Sequence, residues 1–207
     1  MRQPLQLTHV DISYDDVLVR LGYAKGKTQI DAATNDMITA AITLAHKLLA
    51  PRSILASAPP VFIGETTLSL EPGLRIVSGD IVRLIKPCVV AWGFAVTIGP
   101  HLEEKKAALL AEHETTQALI LDAVGSVAAE QLAEDTHHAI EQMSQTQGLK
   151  VTRRFSPGYG DWPVSAHRDF LTWLGAERIG ISLTSHSQML PEKSVSALLG
   201  AHLPVSK

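Results

Sequence analysis

Ten residues in the last third of the chain combine side chains and turns suited to holding a small ligand. They read Arg-Phe-Ser-Pro-Gly-Tyr-Gly-Asp-Trp-Pro and run from Arg154 to Pro163. Arg154 suits a carboxylate, which it can clamp with two parallel hydrogen bonds, and Tyr159 can stack on a planar ring. Gly158 would let the backbone approach a ligand closely or adopt a positive φ. The alternative interpretation is a tight surface turn with a solvated arginine.

The residues on either side of this segment predict a strand before it and a helix after it. Apolar and polar residues alternate from Val151 to Phe155, as they do in a strand, and Pro157-Gly158 would end that strand. Asp161 and Pro163 are typical of a helix start, and apolar residues at helical spacing continue to Leu174. A strand–loop–helix junction of this kind offers free N–H groups to an anion.

A long helix is predicted upstream, from Thr115 to about Thr146. Along it, Asp122, Ser126, Glu130 and Glu134 recur every four residues and form a slowly drifting polar stripe. A solvated helix face explains such a stripe on its own.

Other local patterns predict the elements around the site. These are a turn at Lys25-Gly26-Lys27, a helix from Ser78 through Lys86, a buried strand from Cys88 to Ile98, and a last strand from Ser194 to Leu199 with a loose tail from Gly200. Helices and strands mix without a regular alternation of parallel units, which favours an α+β domain with a mostly antiparallel sheet.

Two motifs, in order and about thirty residues apart, resemble a known family. The first is Arg154, three residues, then Gly158-Tyr159; the second holds a Met189-Leu190-Pro191 turn and the strand Ser194-Val195-Ser196. They are similar to the S-adenosylmethionine-binding signature of the activation domain of cobalamin-dependent methionine synthase. The resemblance is good over residues 115–200 and loose over 1–114, which would be the variable part of a single domain spanning 1–207.

The resemblance implies a fold and a set of ligand-binding residues. The fold would be a twisted, mostly antiparallel sheet with flanking helices. Arg154 would bind the carboxylate of S-adenosylmethionine, Glu130 or Glu134 its ammonium group, and Tyr159 the ring or ribose. Backbone around the segment from Ser156 and Pro157 to Gly160, which includes Gly158, would bind the adenine edge. Trp162 and Met189 would be docking anchors for a partner.

The resemblance also implies an activity that needs a partner. Such a domain holds the methyl donor over a cobalamin carried by another protein, and has no catalytic residues and no metal of its own. Oxidised cob(II)alamin is reduced by one electron from flavodoxin or a similar low-potential donor and then remethylated. The partner would be a cobalamin-dependent methionine synthase core or another corrinoid protein, met by a free-standing activation subunit.

Three departures from the family pattern leave alternatives open. The early aspartate motif of the family has no clear match in Met1 to Tyr23. Leu198-Leu199 replaces an aromatic pair, and Gly160 to Pro163 replaces a common Pro-Ala-Cys-Pro segment. A degenerate member could dock on a corrinoid protein, or bind another ligand, without S-adenosylmethionine. A small-molecule enzyme that reuses the scaffold is the third interpretation.

Charge and hydropathy exclude other classes of partner. The net charge is −3 and no basic run occurs, so no nucleic-acid surface is expected. No apolar run reaches the ~18 residues of a spanning helix, and no signal core begins the chain. We therefore expect no membrane association and a cytoplasmic location. The nine histidines fit no metal-binding spacing. His167 and His186 flank the motifs and could contact a ligand, and a surface or packing role is the default interpretation.

Overall fold

Helices and antiparallel strands mix irregularly in the computed structural model, which describes residues 2–5, 7, 9–24 and 29–204. The helices are Tyr14–Arg20 (α1), Ala32–Leu48 (α2), Gly79–Ile85 (α3), His101–Ala111 (α4), Thr115–Gln145 (α5) and His167–Leu174 (α6). The strands are Arg2–Leu5 (β1), Arg52–Ala58 (β2), Pro60–Phe62 (β3), Thr67–Leu70 (β4), Leu74–Val77 (β5), Val90–Thr97 (β6), Lys150–Val151 (β7), Ser182–Leu183 (β8), Met189–Leu190 (β9) and Ser194–His202 (β10). The turn predicted at 25–27 lies outside the described residues.

The main sheet runs in the order β1-β2-β6-β10-β7, and every neighbouring pair is antiparallel. This confirms the predicted α+β fold with a mostly antiparallel sheet. The sheet takes β1, β2 and β6 from residues 1–114 and the other two strands from the later part of the chain. Both parts therefore contribute to one hydrogen-bonded layer.

Side chains alternate across the sheet and fill two apolar clusters. Val96 and Leu199 face the cluster beneath α1, α2, α4 and α5. Ala95 and Leu198 face the other cluster, which includes α3, α6 and the small sheet β3-β4-β5. Glycine at 125 lets α4 cross α5 closely, because a Cβ there would lie 2.7 Å from a methyl group of Leu102. Across the described ranges, no helix is long and apolar enough to cross a lipid bilayer.

Helix α3 starts as predicted, with the hydroxyl of Ser78 accepting a hydrogen bond from the backbone N–H of Ile81 at 3.0 Å. The last strand is longer than predicted, because residues 200 and 201 still pair with β6 and His202 pairs with Lys150. The loose tail expected from Gly200 is therefore wrong.

The strand predicted from Val151 to Phe155 is only partly present. Lys150–Val151 pairs with the end of β10, and after a break Phe155 makes one isolated bridge to Leu198. The chain then leaves the sheet, and this departure creates the site described next.

Candidate functional site

A cleft of about 450 Å³ opens beside the first residues of β10. It brings together five residues predicted to bind a ligand, which are Glu130, Arg154, Ser156, Pro157 and Tyr159. Met189, which was predicted to be a docking anchor, also lines it. His167, at the start of α6, and the strand segment 194–196 complete its wall. The two sequence motifs therefore face one cavity, although they lie about thirty residues apart in the chain.

The cleft exists because β10 loses its neighbour at this point. Phe155 and Leu198 exchange two backbone hydrogen bonds of 2.8 Å, as two residues of a hydrogen-bonded antiparallel pair do. Continuing that register by two residues would place Pro157 opposite Ser196. Proline has no N–H to donate, so the pairing cannot continue there.

Arg154 is the charged centre of the cleft. One terminal nitrogen of its guanidinium, Nη2, contacts the carboxylate of Glu130 and lies 3.3 Å from that of Glu134. The other, Nη1, is buried and has no hydrogen-bond partner among the described residues. Sequence analysis predicted that these three side chains share a site, and the structure brings them together. It did not predict that both carboxylates would contact the arginine itself.

The loop after Arg154 uses several of its own amides. Gly158 N–H donates to the Trp162 carbonyl at 2.8 Å, and Tyr159 N–H donates to the Ser156 carbonyl at 3.3 Å. These two amides have partners within the loop, and the binding of an adenine edge by the backbone around Ser156 to Gly160 stays a prediction. Gly158 does adopt a positive φ of 99°, but a Cβ there would meet only Val164, at 4.0 Å. Glycine is required by this backbone conformation rather than by crowding.

Residues 88–206 match the sequence model of a family described as "Vitamin B12 dependent methionine synthase, activation domain". This range is more than half of the chain. The chain belongs to this activation domain family. The match begins before residue 115, where the motif-bearing part was predicted to start.

A solved structure has the same fold as this activation domain over the whole length of the present chain. That structure is described as the crystal structure of the MetH reactivation domain bound to AdoHcy. It aligns with a TM-score of 0.73 and 17% sequence identity, covering 100% of this chain and 80% of the other. Among curated proteins, none matches the chain.

Asp161 fastens the loop that follows Arg154 in this activation domain to α3. Its carboxylate accepts hydrogen bonds from the hydroxyl of Ser78 and from the backbone N–H of Gly79, the latter at 2.8 Å. In return, Asp80 accepts from the backbone N–H of Asp161 at 3.2 Å. Sequence analysis placed Asp161 at the start of the following helix, and this is wrong because it caps a helix 82 residues earlier.

Gly160 belongs to the same junction. Its φ is 52°, and a Cβ on this residue would collide with the carboxylate of Asp80 and lie 3.1 Å from the ring of Phe155. Here both conformation and space require glycine, which sequence analysis assigned to Gly158 instead.

We expect acid to weaken this junction through Asp161. The hydroxyl of Ser78, helped by the backbone N–H of Gly79, lowers the pKa of Asp161 below its ordinary value of 3.8. A group whose pKa is lowered by folding stabilises the fold above its unfolded pKa, and that stabilisation disappears as the pH falls through the folded pKa. Asp161→Asn should therefore have a lower melting temperature at about pH 7 but a smaller further decrease at about pH 3.

Circular dichroism melts at several pH values would measure this difference. Asp169→Asn, an exposed aspartate on α6, is the matched control and should follow the parent curve. Parallel melting curves for Asp161→Asn and the parent across the acid range would contradict the assignment.

The two predicted docking anchors of the activation domain differ in position. Trp162 is only 2% exposed and packs edge to face on Phe170, with ring centroids 5.2 Å apart. The prediction that Trp162 is a docking anchor is wrong, because its ring belongs to the core. Met189 is partly buried and lines the cleft, so its docking role stays a prediction. Tyr159, which is 69% exposed, is the large side chain that projects from the loop.

His167 lines the cleft, in line with the alternative that it could contact a ligand rather than with the default surface or packing role. It is 7% exposed, and its Nδ1 lies 3.1 Å from the carbonyl oxygen of Ser187. Burial lowers the pKa of His167 below its ordinary value of 6.5, which favours the neutral ring. Its position in the sequence, between the two motifs, was the signal that could have placed it in the cleft.

Within the described ranges, no group of three or more His, Cys, Asp or Glu could hold a metal ion.

A second ionic cluster holds the start of β10 against α5. Lys193 contacts Ser126 at 2.8 Å and Asp122 at 3.0 Å, and Lys106 also contacts Asp122, at 2.9 Å. The polar stripe on α5 is thus divided. Its first two members anchor the motif strand, whereas Glu130 and Glu134 contact Arg154.

The departures from the family pattern lie outside the cleft wall. Leu198 and Leu199 are completely buried and face the two apolar clusters. Residues 160–163 form the junction with α3 and the core position of Trp162. These substitutions therefore change the support of the cleft rather than its lining.

Proposed function

We propose that this activation domain binds S-adenosylmethionine in the cleft and presents its methyl group to a corrinoid protein. One observation carries the proposal. Nη1 of the cationic Arg154 side chain is buried in the cleft and has no hydrogen-bond partner among the described residues. A buried donor of this kind is costly unless a ligand accepts its hydrogen bonds.

The charges of the cleft suit the amino-acid end of the ligand. Glu130 and Glu134 contact Nη2 of Arg154, so Nη1 can take a ligand carboxylate without breaking either ion pair. Glu130 also lines the cleft, and its exposed carboxylate can accept the ligand ammonium group. A zwitterionic head would therefore meet one cation and one anion in the same cleft.

The structural relative supports the same ligand class. That relative is bound to AdoHcy, as its description states. S-adenosylhomocysteine is S-adenosylmethionine without the transferable methyl group, so it has the same amino-acid, ribose and adenine parts.

The bound ligand supplies the reactive methyl group on its sulfonium, and the role of the chain is to bind and orient it. Transfer needs a nucleophile, which we propose is the reduced cobalamin of a methionine synthase core or another corrinoid protein. A flavodoxin-like or other low-potential donor would supply the electron. We further propose that the chain acts in trans as a single activation domain, and that Met189 and Tyr159 lie on the face that meets the partner.

Titration calorimetry with S-adenosylmethionine tests the binding half of the proposal. We expect one site per chain, with methionine alone and adenosine alone binding far more weakly, because each makes only part of the contacts. Failure of S-adenosylmethionine to bind at saturating concentrations would overturn the proposal.

A transfer assay tests the other half. A ligand labelled in its methyl group is mixed with a corrinoid core that lacks an activation domain, and an electron donor is added. Label should reach the corrinoid only when this chain, the donor and the core are all present. Label transfer that is independent of this chain would remove the proposed role.

Glu130 and Glu134 allow the two roles of a carboxylate to be separated. Glu130→Gln should weaken S-adenosylmethionine about tenfold more than a desamino analogue, because only Glu130 lines the cleft. Glu134→Gln removes a contact to Arg154 without changing the cleft wall, so it should affect both ligands equally. Equal weakening of the two ligands by Glu130→Gln would show that Glu130 only positions Arg154.

A further inference from the structure

The strand segment at the cleft has an unused hydrogen-bonding edge. Leu198 directs both its N–H and its C=O toward Phe155, away from β6. Because backbone groups alternate along a strand, Ser196 directs its own N–H and C=O to the same side. On that side the loop has turned away at Pro157, which cannot donate.

The side chain of Ser196 is also without a partner. Its hydroxyl is buried, the residue is 2% exposed, and no described residue lies within hydrogen-bonding reach of the hydroxyl. Ser196 lines the cleft. By contrast, the nearby Ser194 uses its hydroxyl to donate to the carbonyl of Pro191 at 2.7 Å. Ser196 therefore presents three polar groups to the same cavity as Arg154.

The cleft extends around this edge from one face of the sheet to the other. Glu130 belongs to α5, on one face, whereas His167 belongs to α6, on the other. Leu198 points into the cluster beneath α6, and alternation places the side chain of Ser196 on the same face. A ligand with its charged head at Arg154 would reach Ser196 with its opposite, planar part.

We propose that Ser196 is the position that recognises the base of the ligand, and that the base completes the edge of β10. An adenine ring offers an acceptor, N1, beside a donor, the 6-amino group. N1 can accept a hydrogen bond from the N–H of Ser196, and the 6-amino group can donate one to its C=O. A residue on a neighbouring antiparallel strand would make the same two hydrogen bonds. The hydroxyl of Ser196 adds a third hydrogen bond to the same ligand. This inference deepens the proposed function and rests on it for the identity of the ligand.

The test exchanges donor and acceptor on the base. In S-inosylhomocysteine the 6-amino group is replaced by a carbonyl and N1 carries a proton, so both hydrogen bonds are reversed. Calorimetry with the parent protein should show binding at least about a hundredfold weaker than for S-adenosylhomocysteine, since two backbone groups would lose their partners. Ser196→Ala should weaken S-adenosylhomocysteine by about tenfold.

Ser144→Ala is the matched control. Ser144 is another buried serine whose hydroxyl has no partner within the described residues, and it lies near the end of α5, away from the cleft. Both substitutions remove an unsatisfied hydroxyl and should leave the melting temperature unchanged or higher. Only Ser196→Ala should change affinity.

A third ligand, 5′-methylthioadenosine, separates failure of this inference from failure of the proposed function. It keeps the adenosine and lacks the amino-acid head. If it binds and loses affinity in Ser196→Ala, base recognition stands even when S-adenosylmethionine does not bind. Equal binding of the adenosyl and inosyl ligands, or unchanged affinity in Ser196→Ala, overturns the inference while S-adenosylmethionine binding stands. Binding of no adenosine compound overturns both.

Discussion

Arg154→Ala is expected to weaken S-adenosylmethionine binding by roughly a hundredfold, or about 2–3 kcal/mol, because it removes a charge-assisted hydrogen bond to the ligand carboxylate. The substitution also leaves Glu130 and Glu134 beside each other without the cation that they share. The ligand carboxylate would then approach two like charges. This second effect acts in the same direction as the first.

Two other substitutions make the Arg154 result specific. Arg154→Lys should restore little affinity, because an ammonium cannot contact two glutamates and a ligand carboxylate with a planar fork. Arg75→Ala changes an exposed arginine on β5, which does not line the cleft, and should have a much smaller effect. Calorimetry on the three variants measures this order. Parent-like affinity in Arg154→Ala would show that the ligand carboxylate is bound elsewhere.

Trp162→Ala is expected to lower the free energy of unfolding by about 3–5 kcal/mol, the usual cost of truncating a buried large aromatic side chain. The indole is 2% exposed and loses its edge-to-face contact with Phe170. Because Trp162 follows directly on the loop of the ligand site, the cavity would also loosen that loop.

Tyr159→Ala is the matched control for this effect on stability. Tyr159 is 69% exposed in the same loop, so its removal should change the free energy of unfolding by less than about 0.5 kcal/mol. Urea denaturation of both variants measures the difference. Nearly equal stabilities for Trp162→Ala and the parent would mean that Trp162 is not a core residue and would restore its docking role.

Local patterns were sufficient to predict much of the fold. The buried strand β6, the long helix α5 and the cap on Ser78 each depend on residues within one or two turns of each other. Hydrophobic periodicity and capping preferences report such local features directly. The predicted grouping of Arg154 with Glu130 and Glu134 came from the family resemblance, because the polar stripe alone indicated a solvated face.

Long-range contacts explain what sequence analysis missed. Asp161 is a good capping residue, but its position in the chain does not show that it caps α3 rather than the next helix. Trp162 follows two glycines and looked exposed, whereas its neighbour Phe170 is brought close only by the return of α6. The free edge at Ser196 depends on where a different segment leaves the sheet.

The place of β2 between β1 and β6 has a consequence for recognising relatives of this chain. Hydrogen bonds between strands join main-chain atoms, so β2 keeps its position for many combinations of apolar residues. Comparison of residue identities is therefore least able to detect relatives in the first part of the chain. Comparison of backbone paths does not lose sensitivity there. The family match begins at residue 88, but the structural match covers the chain from end to end. Searches by shape should accordingly detect distant members in which the part before residue 88 has lost recognisable sequence similarity.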